Sequence, residues 1–220
     1  GKTAQTLAHL LMEKQAGYLQ ESPALIVAPT SLMHNWFKEA EKFTPELKVL
    51  LLQGPDRHQY FEQILHYDIV LTTYPLLARD EEQLKQYEYH QLILDEAQNI
   101  KNPRAKAAQV VRQLKARHRL CLTGTPMENH LGELWALFYF LMPGFLYSQE
   151  IFNKILYLNL SKTYEFKTLD EFEKAYLSLD SLKFLENINT VTRFIEKEDK
   201  TYTLLNGEII QFVFDIKFNK

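Results

Sequence analysis

The chain is poor in the residues that build covalent or metal frameworks. Cys121 is the only cysteine among 220 residues, so a disulfide within one chain is excluded. It lies in the mainly apolar run Arg119 to Thr123 and reads as a core thiol. The seven histidines show no ligand spacing with cysteine or acidic partners, and each reads as a surface or structural side chain. No apolar run is long enough to span a bilayer, and no signal peptide or targeting motif is visible. These absences point to the reducing cytosol and to no membrane partner. Charge of either sign is barely in excess: the formal net charge is −3, so any nucleic-acid contact must be local. What remains is a globular composition, 46% hydrophobic and 24% charged. The length accommodates one generous domain, or one ordinary domain with a small appendage.

From Ser22 to about Pro143 short apolar runs alternate with helical stretches. Strands are expected over Ala24–Ala28, Lys48–Leu52, Asp68–Thr73, Gln91–Asp95 and His118–Thr123. Helices are expected over Leu32–Phe43, Arg57–Leu65, Arg104–Lys115 and Leu131–Leu141. Such alternation specifies an α/β fold, a parallel sheet with helices on both faces, whose ligands bind beyond the carboxyl ends of the strands. Polar groups crowd those ends: Pro29-Thr30-Ser31, Thr72-Thr73, Asp95-Glu96 and Thr123-Gly124-Thr125-Pro126.

The stretch Gln91 to Asn102, Q-L-I-L-D-E-A-Q-N-I-K-N, is the most informative. A buried strand that runs into two adjacent carboxylates aims them at a site, because such a sheet tolerates charge only where its strands emerge. In a nucleotide-hydrolysing site Asp95 would hold Mg²⁺ through its water shell, and Glu96 would orient and deprotonate the attacking water. Taken alone, the pair reads more readily as a solvated loop start, and its neighbours decide between the two. Gly1-Lys2-Thr3 matches the last three positions of the phosphate loop G-x-x-x-x-G-K-[ST]. The helical pattern of Leu7, Leu10 and Leu11 follows it, as that loop requires. The chain reads as cut within the motif, since the preceding strand and glycines are absent.

Taken together, several stretches resemble the Swi/Snf-type ATPases of helicase superfamily two. They are G-K-T at the start, L-I-V-A-P-T-S-L-M-H-N-W-F-K-E at Leu25 to Glu39, and D-I-V-L-T-T-Y at Asp68 to Tyr74. L-D-E-A-Q-N-I-K-N at Leu94 to Asn102 and L-T-G-T-P-M-E-N-H-L-G-E-L-W at Leu122 to Trp135 complete the set. The D-E-A-Q spelling and E-N-H-L-G-E-L-W look most like the bacterial branch. The resemblance covers residues 1–154, the first of two RecA-like (P-loop NTPase) lobes.

The resemblance implies ATP and Mg²⁺ as ligands. Gly1, Lys2 and Thr3 would bind phosphate, with Thr3 and Asp95 on the metal, Glu96 on the water and Gln98 on the γ-phosphate side. Thr123, Gly124 and Thr125 would couple the nucleotide site to DNA. Pro29, Thr30, Ser31, Thr72 and Thr73 would lie along the backbone of double-stranded DNA, along which such proteins move without separating the strands. For the hydroxyls at strand ends helix capping is an equal reading, Thr30 above all. Trp36 and Trp135 read as packing residues.

The family pattern is incomplete here. Half of the phosphate loop is missing, and with it a strand expected beside the D-E-A-Q strand, whose loss would expose a groove. The second lobe, with the arginines that complete the site, is missing too; a second lobe supplied in trans is the implied partner. Residues 155–220 read as a separate small α+β tail: every Pro, His and Trp precedes Phe145. A helix is expected over Leu169–Leu185, and a hairpin around Asn206-Gly207 before the alternating Ile210, Phe212, Phe214, Ile216 and Phe218. The expected function is a fragment of an ATP-dependent translocase on double-stranded DNA, without turnover by itself. The alternative is an inactive DNA- or protein-binding module of the same ancestry. An RNA helicase of the D-E-A-D type is opposed by T-G-T-P, E-L-W and Asn35-Trp36.

Overall fold

The computed structural model describes residues 1–124, 131–146, 148–150, 201–203 and 209–211. The main body is a five-stranded parallel sheet of order β2-β3-β1-β4-β5. Its strands are β1 (Ala24–Ala28), β2 (Val49–Leu51), β3 (Ile69–Thr73), β4 (Glu88–Asp95) and β5 (Lys115–Leu122). Its helices are α1 (Lys2–Gln15), α2 (Met33–Phe43), α3 (Tyr74–Arg79), α4 (Glu81–Leu84), α5 (Lys106–Gln113) and α6 (Leu131–Leu141).

The central strands are apolar throughout because both of their faces are covered. In β1 all five residues are buried, and alternate side chains go to opposite cores. Leu25 and Val27 join Val70, Leu92 and Leu94 in one, with Leu77 of α3, Val110 of α5 and Phe140 of α6. Ala24, Ile26 and Ala28 join Ile69, Leu71 and Ile93 in the other, with Leu7 and Leu10 of α1 and Met33 and Trp36 of α2. Cys121 is a free, buried thiol whose pKa burial pushes far up, as expected of a core residue.

Three expectations change. The segment over Arg57–Leu65 is a 3₁₀ helix, Pro55–His66, entered through Gly54 at φ 77°. The short helices α3 and α4 fill the gap before β4; Thr73 and Pro75 supply a start signal for α3 that the apolar pattern does not reveal. No groove opens beside the D-E-A-Q strand, because β4 is hydrogen-bonded to β1 on one side and to β5 on the other. In this sheet the unpaired edges belong to β2 and β5. The expected helix over Leu169–Leu185 lies outside the described residues. So does the Asn206-Gly207 turn, although β6 (Thr201–Thr203) and β7 (Ile209–Gln211) on either side of it pair antiparallel.

Candidate active site at the carboxyl edge of the sheet

Register brings the polar strand ends together. Ala28 lies beside Thr73, Val27 beside Leu94 and Asp95 beside Leu122. The turns after β1, β3, β4 and β5 therefore emerge at one edge. Glu96 leaves β4 at φ 48° and ψ 57°, and among the described residues it alone has a positive φ without being glycine. The left-handed region costs an L-residue about 1–2 kcal/mol. It turns the chain into a 3₁₀ segment, Ala97–Ile100, whose Ala97 and Ile100 are fully buried. Anchored so, the segment keeps Glu96 and Gln98 half-buried at the edge.

A chain of hydrogen bonds joins these residues. Gln98 Nε2 donates to Glu96 Oε2 at 2.6 Å, and Thr123 Oγ1 donates to Gln98 Oε1 at 3.0 Å. Asp95 is buried, and each of its carboxylate oxygens accepts a bond: Oδ1 from the Glu96 backbone N–H at 3.0 Å, Oδ2 from Trp36 Nε1 at 2.7 Å. Burial raises the Asp95 pKa, while the Trp36 and Glu96 donors and the Lys2 charge pull it back. Lys2 opens α1, and its Nζ lies 3.7 Å from the point a Cβ on Gly124 would occupy. Gly1 caps α1 without a side chain and is exposed; Thr3 is half-buried in the first turn. The first N–H groups of α1 thus have no capping side chain at Gly1, which suits an anion there.

The expected DNA-facing residues divide. Pro29 is half-buried, and Thr30 and Ser31 are exposed on a 3₁₀ turn, Thr30–Leu32. Thr30 does not cap α2, whose first turn has no side-chain cap. Thr72 and Thr73 lie at the same edge with little exposed surface: Thr72 is fully buried, and Thr73, 2% exposed, accepts the Leu76 N–H with its hydroxyl at the start of α3. Thr125 lies outside the described residues.

Sequence reasoning missed two contacts to Asp95. Trp36 is a packing residue as expected, yet its indole also holds the carboxylate; Tyr74 donates its hydroxyl to the Asp95 carbonyl at 2.7 Å. It also missed a tie between the turn after β4 and α6: Lys101 Nζ pairs with Glu133 Oε2 at 3.0 Å, both side chains nearly buried. Among the described residues no group of three or more His, Cys, Asp or Glu side chains forms a metal cage.

Residues 1–205 match the family model of the SNF2-related domain. The chain belongs to the SNF2 family. It is 41% identical to the helicase/translocase YwqA of Bacillus subtilis over 177 residues, 79% of this chain and 19% of that protein. To the ISWI chromatin-remodelling complex ATPase ISW1 of Saccharomyces cerevisiae it is 36% identical over 164 residues, 70% of this chain and 14% of the relative. A solved Sulfolobus solfataricus SWI2/SNF2 ATPase core in complex with double-stranded DNA superposes with a TM-score of 0.65 at 42% identity. That match covers 70% of this chain and 32% of the solved one. This SNF2 chain thus spans a fifth or less of the length of these curated relatives. The parallel sheet is that of a RecA-like lobe, and the matched stretch includes every candidate site residue named above. No helix among the described residues is long and apolar enough to cross a membrane.

Proposed function

We propose that this chain carries the first-lobe half of the ATP site of a translocase on double-stranded DNA. The observation that carries the reading is the linked set Asp95, Glu96, Gln98 and Thr123 at one strand edge, with Lys2 beside Gly124. Lys2 and the N–H groups after Gly1 bind the phosphates of ATP. The donor set fits Mg²⁺: with no protein cage, one carboxylate and one hydroxyl, Asp95 and Thr3, share the ion with waters and phosphate oxygens. Each Asp95 oxygen accepts one hydrogen bond and keeps a lone pair for such a water. Bound Mg²⁺ neutralises phosphate charge. Glu96 orients the attacking water and takes its proton, held by Gln98 until the γ-phosphate draws Gln98 away. The Thr123–Gln98 bond carries that change towards Gly124 and Thr125. Pro29, Thr30, Ser31, Thr72 and Thr73 form the edge that meets the DNA backbone, with Thr30 and Ser31 its exposed hydroxyls.

A second lobe, supplied in trans, brings the arginine that phosphoryl transfer requires, worth about a thousandfold or more in rate. Residues 1–154 form the lobe and 155–220 the tail, in a cytoplasmic protein. A second reading is a module of the same ancestry that binds DNA or protein without turnover.

Equilibrium binding of a fluorescent ATP analogue with Mg²⁺ tests the site. Losing a charge-assisted contact of about 1.5–3 kcal/mol makes Lys2→Ala at least about tenfold weaker, while Glu96→Gln binds as the parent does. Equal binding by Lys2→Ala, or none by the parent chain, overturns the reading.

A further inference from the structure

We propose that Trp36 is a positioning residue for the metal-holding carboxylate: its indole N–H fixes the plane of Asp95, while Tyr74 fixes the backbone beneath it. The proposal rests on the reading of Asp95 as the Mg²⁺ ligand.

A carboxylate at a strand end rotates about its last torsion unless its oxygens are held. Here both are held, Oδ1 at 3.0 Å by the Glu96 N–H and Oδ2 at 2.7 Å by the Trp36 indole. The donors come from different elements. One belongs to the next residue and moves with the strand; the other comes from α2 and sets the carboxylate against the rest of the lobe. Trp36 is suited to this, because it is 1% exposed and its ring sits in the core face with Leu7, Leu10 and Met33. An indole so packed cannot follow the carboxylate, so the carboxylate follows the indole. Tyr74, first residue of α3 and also buried, adds a third hold by donating to the Asp95 carbonyl at 2.7 Å. A carboxylate held at both oxygens presents its remaining lone pairs in fixed directions, which is what an octahedral ion with a water shell demands. Groups that orient a metal ligand in this way are worth about 10–100-fold in metal affinity.

Packing alone would be met by any aromatic ring of similar size, and the N–H separates the two roles. The test titrates Mg²⁺ into the full chain holding a fluorescent ATP analogue. It compares the parent, Trp36→Phe, and a chain whose Trp36 is replaced by its benzothiophene isostere, close in shape and carrying sulfur in place of the N–H donor. The expected result is a Mg²⁺ midpoint raised about 10–100-fold in both variants, with metal-free nucleotide affinity and, for the isostere, the melting temperature unchanged. Trp36→Phe leaves a smaller ring in the core, so the isostere decides if that variant melts early. An isostere with the parent's Mg²⁺ midpoint overturns the role of Trp36 and leaves Asp95 as ligand. A parent whose binding ignores Mg²⁺, like that of Asp95→Ala, overturns the metal reading itself and the proposal with it.

Discussion

Glu96 holds its left-handed backbone because the residues after it are anchored: Ala97 and Ile100 have no exposed surface, so the turn cannot relax. The strained turn keeps the Glu96 side chain, beside Asp95, at the edge of the sheet rather than in its core. The opposite end of β4 has a different electrostatic character. Buried His90 bonds Glu13 at 2.6 Å and meets the ring of His118 edge-on at 5.2 Å. Partial burial, and then the neighbouring His90, lower the pKa of His118 from its ordinary 6.5. Below that ordinary value the unfolded chain takes up a proton at His118 that the folded chain resists until lower pH. Stability at this site is therefore full above about pH 6.5 and falls as the pH drops. His118→Gln is expected to lose less of its urea midpoint than the parent between about pH 7.5 and pH 5.5; an identical loss removes His118 as the cause. The gathering of polar residues at the carboxyl edge was legible because a sheet buried on both faces tolerates them only where its strands emerge. The Trp36 and Tyr74 bonds were not, since each spans more than 20 residues of sequence and depends on the stacking of α2 and α3 on the sheet.

At the scale of elements, the strands were legible and the connections less so. Runs such as Ala24–Ala28 are apolar because both faces are covered, and that needs no knowledge of neighbours. Strand order does need it, which is why a groove was expected beside β4 where β5 in fact pairs. The segment from Pro55 to Arg79 is held by a buried pair that the apolar pattern does not reveal. Arg57 Nε and Nη2 donate to Asp80 Oδ2 and Oδ1, both at 2.7 Å, and Asp80 is 1% exposed. Asp80→Ala leaves the guanidinium buried beside a cavity and is expected to cost about 3–5 kcal/mol in denaturant unfolding. A loss below about 1 kcal/mol, the value of an exposed pair, contradicts that account. The same pair ties the 3₁₀ helix Pro55–His66 to the junction of α3 and α4.

For the whole molecule the decisive quantity is how much of an SNF2 motor is present. The chain covers 79% of itself but 19% of YwqA in that match, and 32% of the solved ATPase core. The carboxylates, the lysine proposed for phosphate and the edge turn proposed for DNA all lie on one lobe. Phosphoryl transfer also needs charge stabilisation from outside that lobe. Nucleotide binding by this lobe and turnover by a completed site are therefore separable. The most direct test is phosphate release by the purified chain with Mg²⁺ and ATP, with and without double-stranded DNA, beside Glu96→Gln. The predicted result is nucleotide binding with no release that either DNA or Glu96 influences. Release stimulated by DNA and lost in Glu96→Gln would contradict the prediction, and would make this chain a working motor that completes its own site.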